Sequence, residues 1–374
     1  MPVSDKGIMH FIKRIIVQLL IGANVMAACL LLLCGLSTMM NPAYYPRVAL
    51  FGLGFPLLLA LNLTFVFLWL VFSPRRVWIA LVGMLCSGYY IYQYFPLNWP
   101  EKAPGQSLKL ITYNTEYLGN GEVDEAGNSP VIDYLTASEA DIICLQEVVG
   151  RHKLSREELD AAMAIAGYAT LHVGDGRPEQ QMVYSRLPLL SIERLPYGSG
   201  GNGSVAVRLL YEGDTLLLVN NHLESYKLTS NDKLKYKEII TEPGDDKAEQ
   251  RSRELINKMA VASQARGPQV DSVLHYVAAH DCKSVIVCGD FNESPISYSC
   301  YRMNQAFRNA FVESGNGLGL SYYQKGFYFR IDHIYLSDDW ESYDTHVDKS
   351  ATWSDHYPLV TYLKKRPKVS GTAN

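Results

Sequence analysis

Between Ile15 and Met40 the chain carries no charged residue, and the stretch is dense in Leu, Ile, Val, Ala and Met. About 20 apolar residues in helical form cover the hydrocarbon core of a bilayer, so this run is long enough to cross one. A second charge-free run extends from Val48 to Phe72 and stops at Ser73-Pro74-Arg75-Arg76. A third reaches from Val77 to about Phe95, with Tyr89, Tyr90, Tyr92 and Tyr94 gathered near its end, as in an interfacial aromatic belt. A signal-peptide core is usually about 7–15 residues, shorter than the first run, and removing that run would leave two more. The pattern predicts three transmembrane helices, at about 15–37, 48–72 and 77–95, forming a membrane anchor over residues 1–100.

Charge divides at the same place. Residues 1–100 hold six Lys/Arg and one acid, a net of +5, which leaves 28 Lys/Arg and 37 Asp/Glu, a net of −9, for the other 274. That split excludes a disordered chain, a coiled coil and a basic protein that coats nucleic acid. Lys6, Lys13 and Arg14 precede the first run, Arg75 and Arg76 separate the second from the third, and only Arg47 lies in the first connection. The positive-inside rule therefore places the N-terminus and the Arg75-Arg76 turn in the cytoplasm. Everything after Trp99 is expected outside it, periplasmic or extracellular, with the inner membrane of a bacterium as the expected setting. Pro96, Pro100, Pro104 and Gly105 form a short linker.

Residues 101–366 alternate short apolar runs with polar turns and amphipathic stretches. Strands are predicted at Leu108–Asn114, Asp141–Glu147, Gln181–Ser185, Ser204–Tyr211, Thr215–Asn221, Ser284–Gly289, Phe329–Leu336 and Pro358–Leu363. Helices are predicted at Pro130–Ser138, behind an N-cap serine and a first-turn proline, at Ser155–Ala166, behind a Ser155/Glu158 capping box, and at Glu249–His280. Residues 367–374 read as a loose tail. Strands interleaved with helices indicate an α/β sandwich. Gly198-Ser199-Gly200-Gly201-Asn202-Gly203 matches G-x-G-x-x-G, but it precedes a strand rather than opening a helix, so it reads as a turn. The sequence has no P-loop, H-E-x-x-H or G-x-S-x-G motif. Cys282 and Cys300 fall outside the apolar runs that hold the other cysteines, and a bond between them is possible but not required.

Several predicted strands end in, or open into, chemically capable residues: Asn114, Gln146-Glu147, His222, Asp290-Phe291-Asn292, Asp332-His333 and Asp355-His356. Rigid strand ends aim side chains from distant positions into one crevice. Singly, each has a plain structural reading: Asp290 and Asn292 as turn formers, His222 as a satisfied core histidine, Asp332 as a partner of Arg330. The ordered set ITYNTEYL, IICLQEV, VNNHLES, VIVCGDFNESP, RIDHIYLS and SDHYPLV resembles the endonuclease/exonuclease/phosphatase superfamily over about residues 107–364. That superfamily includes type I deoxyribonucleases, apurinic endonucleases, inositol polyphosphate 5-phosphatases and neutral sphingomyelinases. The resemblance implies a four-layer α/β sandwich, two packed mixed sheets with helices outside.

The resemblance also implies metal-dependent phosphoester hydrolysis by an activated water. Glu147 is then the expected Mg²⁺ or Mn²⁺ ligand, with Asn114 beside it and Asp355 near a second metal position. His356, oriented by Asp332, and Asp290 share the role of base. Asn292 helps position the nucleophile and phosphate, and His222 serves the leaving oxygen. Arg266 and Gln269 lie in a charged insertion over 226–281 and are expected to face substrate from a lid. The expected partners are the membrane and a phosphoester: a lipid headgroup, a nucleic acid or a small phosphate ester. No obligate protein partner is inferred. The net charge of −9 lowers the expectation of nonspecific DNA binding, which rests on Lys/Arg contacts. An extracytoplasmic nuclease is the nearest alternative. A membrane-tethered binding module without catalysis is the alternative of another class, disfavoured because every position holds a competent residue type.

Overall fold

The computed structural model describes residues 5–125, 127–149, 154–175, 180–197, 202–241, 247–324 and 327–367. The chain forms β1 (Leu108–Asn114), β2 (Ile142–Gln146), β3 (Gln181–Ser185), β4 (Leu189–Arg194), β5 (Gly203–Tyr211), β6 (Asp214–His222) and β7 (Ser284–Asp290). After these come β8 (Arg308–Asn309), β9 (Tyr322–Gln324), β10 (Phe327–Phe329), β11 (Asp332–Leu336), β12 (Trp340–Val347) and β13 (Leu359–Lys365). One sheet runs β12-β13-β1-β2-β3 and the other β4-β5-β6-β7-β11-β8. Both are mixed: β1/β2 and β6/β7 are parallel, whereas β1/β13 and β7/β11 are antiparallel.

Side chains alternate across a strand, and here both faces are apolar because both are covered. Leu110, Ile142, Leu218, Ile286 and Ile334 meet in a core between the sheets. Their chain neighbours Ile111 and Ile143 pack instead with Leu135, Leu159 and Met163 of the helices Pro130–Ala137 and Arg156–Ile165. On the far side Leu217, Val219, Val285 and Val287 pack with Val270 and Val273 of the long helix Ala248–Ala279. Helix, sheet, sheet and helix make the expected four-layer sandwich. Both bonds of the Ser155/Glu158 capping box are present, and Ser129 caps Ile132.

The predicted strand Phe329–Leu336 divides in two. Phe327–Phe329 joins a separate β9–β10 ribbon and Asp332–Leu336 enters the sheet, because Ile331 and Asp332 both donate backbone N–H bonds to Ser321 Oγ at the break. Of the glycine-rich turn, only Asn202 and Gly203 lie among the described residues, and Gly203 opens β5. Residues 368–374 of the tail also lie outside them. Cys282 and Cys300 are unbonded; Cys300 Sγ instead lies 3.4 Å from His333 Nε2.

In the first hundred residues, two helical stretches are long and apolar enough to cross a membrane, Gly7–Met39 and Pro46–Phe72. The third expected span is not one helix. It is broken at Ser87-Gly88 into Val77–Cys86 and Gly88–Tyr94, and ten residues of helix cover only about 15 Å. The first helix begins at Asp5, about ten residues before the charge-free run. Polar side chains tie the two long helices together: Trp69 Nε1 donates to Asn24 Oδ1 at 2.9 Å, and Asn62 Nδ2 to the Ala27 carbonyl at 3.1 Å.

This apolar segment packs on the sandwich. Asn41 Nδ2 donates to Tyr298 Oη at 3.1 Å, and buried Arg330 donates to the carbonyls of Gln93 and Tyr94. Gly52 sits so close to the loop after β7 that a Cβ there would lie 1.9 Å from the Ile296 carbonyl oxygen.

Candidate active site

Strand register builds the site. Asp290, the last residue of β7, is paired with His222 at the end of β6 and with Asp332 at the start of β11, so three adjacent strands deliver their polar ends in one row. Gly289 makes this possible, with a φ of 125° and the Asn221 carbonyl oxygen 2.0 Å from where its Cβ would stand. From the other sheet, Asn114 at the end of β1 donates through Nδ2 to Asp290 Oδ2 at 3.1 Å and to Glu147 Oε1 at 3.3 Å. The ends of both sheets thus meet in one cluster.

Backbone strain marks two of its members. Glu147 and Asn292 have φ of 51° and 52°, a left-handed region that non-glycine residues rarely occupy. Asn292 uses its backbone N–H on Asp290 Oδ1 at 2.8 Å and its side chain on Asp290 Oδ2 and the Leu223 carbonyl, both at 3.1 Å. His356 Nδ1 lies 2.8 Å from Asp332 Oδ2, while its Nε2 lies 3.7 Å from Asp290 Oδ2. His222 Nε2 stands 3.4 Å from Glu147 Oε1 and 3.7 Å from Asp290 Oδ2.

Burial sets the electrostatics. Desolvation pushes the carboxyls of Glu147 and Asp290 up, against the pull of His356. Burial alone would drive proton loss from His356, but Asp332 and Asp290 outweigh it and hold its ring protonated. His222 is the opposite case: burial, helped by the charge on His356, lowers it to about 4, so it is neutral at pH 7. Among the described residues, the ion-pairing partners of Glu147, Asp290 and Asp332 are these two histidines, with no Lys or Arg. Two buried carboxylates and a half-buried one with so little compensation fit a divalent cation. One ligand atom each from Asp290, Asp332 and His356 also lie within 4.8 Å of one another.

Asp355 sits beside the cluster, its Oδ2 accepting from Gln324 Nε2 at 2.8 Å and its N–H donating to Glu116 Oε2 at 3.0 Å. Arg266 and Gln269 are not brought to the site. Arg266 is fully buried against Glu293, 2.9 Å away, and donates to the Glu224 carbonyl at 2.6 Å; Gln269 Oε1 accepts from the Glu224 N–H at 2.8 Å. Their helix carries them inward to pin the chain after β6.

Sequence reasoning passed over Glu116 and Tyr322. Glu116 opens a turn in which it, Tyr117, Leu118 and Asn120 all have positive φ, a conformation with no signature beyond the closing Asn120-Gly121. Tyr322 packs edge-on against His356 with ring centroids 5.0 Å apart, through an isolated bridge that sequence does not announce. Glu147, Asp290, Asn292, Asp355 and His356 line part of a cavity of about 650 Å³.

The family model described as Endonuclease/Exonuclease/phosphatase family matches residues 111–356, from within β1 to His356 itself. The chain belongs to the endonuclease/exonuclease/phosphatase family. The part before the family match, residues 17–94, matches a domain of unknown function (DUF8431). Three solved structures similar to this family member are humanized D. rerio TDP2, the human nocturnin catalytic domain with bound sulfate, and sphingomyelinase C from Streptomyces griseocarneus. TDP2 is 15% identical with a TM-score of 0.46, covering 69% of this chain and 99% of its own. Nocturnin is 15% identical with a TM-score of 0.48, covering 70% and 94%. Sphingomyelinase C is 17% identical with a TM-score of 0.46, covering 68% and 99%. No curated protein sequence matches the chain.

Proposed function

We propose that this chain is a membrane-anchored phosphoesterase that depends on a divalent metal and hydrolyses its substrate with an activated water. The observation that carries the reading is the Asn114–Asp290 bond of 3.1 Å, which joins the polar ends of two sheets into one buried acid–imidazole cluster at a cavity. Glu147, with Asp355 nearby, would hold Mg²⁺ or Mn²⁺, which neutralises charge on the phosphoryl oxygens when bound. Asn114 keeps the Glu147 and Asp290 carboxylates in register with each other.

Asp290 takes the proton from the attacking water, held in place by Asn292 and Asn114. His356 stays protonated between Asp332 and Asp290 and donates through Nε2 toward a phosphoryl oxygen. His222 is neutral and offers one ring N–H to the charge developing on the leaving oxygen. Arg266 and Gln269 support the wall and touch no substrate.

The two long helices cross, the broken Val77–Tyr94 segment crosses a third time, and the domain from residue 101 onward lies outside the cytoplasm. Support for this topology is that the Asn41–Gly52 and Gln93–Tyr94 regions both touch the sandwich, whereas Arg75 and Arg76 belong to the turn between crossings. The test is hydrolysis of phosphomonoesters and phosphodiesters by the full chain in detergent. Turnover with Mg²⁺ or Mn²⁺ that stops on chelation is expected; turnover indifferent to metal removal contradicts the proposal.

A further inference from the structure

The cavity at the site has two unlike parts. One holds the carboxylates and His356. The other is apolar: Leu255, Ile256 and Met259 from the Ala248–Ala279 helix, Leu228 and Ile239 from the segment before it, and Phe329 from β10. A small polar ester gives such a wall nothing to bind. Leu53 and Gly54 also line it, and they belong to Pro46–Phe72, one of the two stretches able to cross a membrane. The apolar wall therefore continues into the apolar anchor. Among the described residues, two charged groups along it are already engaged: Lys227 with Glu224 at 2.5 Å, and Asp232 with Lys258 at 2.5 Å.

We propose that this cavity takes the acyl chain of a bilayer phospholipid, whose headgroup phosphate reaches the Asp290–His356 site while its hydrocarbon lies along the Leu228–Met259 wall and Leu53. This rests on the phosphoesterase reading and supplies its substrate class. An aliphatic wall of this volume is normal for a ligand pocket with a few polar groups at one end. A nucleic acid would need free Lys/Arg along the groove, and among the described residues the lysine that lines it, Lys227, is paired with Glu224.

Two measurements on the full chain test it. In calorimetry with alkyl phosphates of two to ten carbons, kept below micellar concentration in a phosphate-free detergent, affinity should rise roughly fourfold per added methylene. Ile256→Gln, at a position 45% exposed and so tolerant of a polar residue, should flatten that rise. In nanodiscs, a phospholipid with a photoreactive group near its acyl terminus should label the 228–259 segment. Affinity independent of chain length, tighter binding of a ten-nucleotide single strand than of decyl phosphate, or labelling confined to the transmembrane helices would each overturn the proposal. Metal-dependent hydrolysis with no chain-length dependence defeats this inference alone. Chain-length-dependent binding and labelling without hydrolysis of any ester defeats the phosphoesterase reading and leaves lipid binding standing.

Discussion

The Asn114 amide nitrogen donates to Asp290 Oδ2 across 3.1 Å, and the two residues are 176 positions apart on facing sheets. Its second bond goes to Glu147, so one neutral side chain holds the buried Asp290 and the half-buried Glu147 carboxylates at a fixed separation. Replacing it should cost more than a single hydrogen bond. Asn114→Ala is expected to lower kcat/KM about 10–100-fold, the range seen when a residue supporting a metal site is lost. Steady-state kinetics on a phosphodiester checks this, with circular dichroism confirming the fold.

Glu147 gives a test that needs no turnover. Addition of Mg²⁺ or Mn²⁺ should raise the Tm of the wild-type chain, because a ligand that binds only the folded state stabilises it. Glu147→Ala should abolish that rise. An equal metal-induced shift in both proteins would place the ion elsewhere.

The Arg266–Glu293 pair predicts an asymmetry. Both groups are buried, so removing one partner strands a charge at a cost of about 3–5 kcal/mol. Arg266→Met should therefore be strongly destabilising, and Arg266→Met with Glu293→Leu much less so. Chemical denaturation of the single and double variants decides it. If Arg266 bound the substrate phosphate instead, the single variant would raise KM with little change in stability.

Acid should loosen the wall of the cavity around Asp232. The Lys258 ammonium 2.5 Å from Asp232, with the Thr229 backbone N–H, lowers this carboxyl to about 2. A depressed pKa contributes stability that is fully present above the unfolded value near 4. That stability is lost as pH falls through about 2. Hydrogen exchange in Ser230–Thr241 should accelerate as pH is lowered from 5 to 2, after correction for the intrinsic rate. Asp232→Asn should show the accelerated exchange already at pH 6.

Much of the fold was legible along the chain. β1 and β3 begin and end where the apolar runs do, because a strand covered on both faces is written as a continuous hydrophobic stretch. The elements not foreseen lie where that signal fails. β12, Trp-Glu-Ser-Tyr-Asp-Thr-His-Val, is an edge strand with half-exposed polar positions. The helix Tyr298–Ala306 is mostly polar in composition although several of its residues are buried. The third apolar run is charge-free like the others, but its second half is rich in tyrosine and it breaks at Ser87-Gly88.

The site divides the same way. The sequence alone determined which residues border the strands: Asn114, Glu147, His222 and Asp290 each follow an apolar run, whereas Asp332 and His356 come at or just before the start of one. Only the tertiary structure decided which of them touch. Register between β6, β7 and β11 placed His222, Asp290 and Asp332 in one row, and the packing of the two sheets brought Asn114 to Asp290. It also turned Arg266 away from the cavity and toward Glu293, and carried Leu53 of the anchor into the cavity wall. The physical reason is that periodicity is a local property of the chain, whereas a side chain's partner depends on strand register and layer packing between residues far apart in sequence.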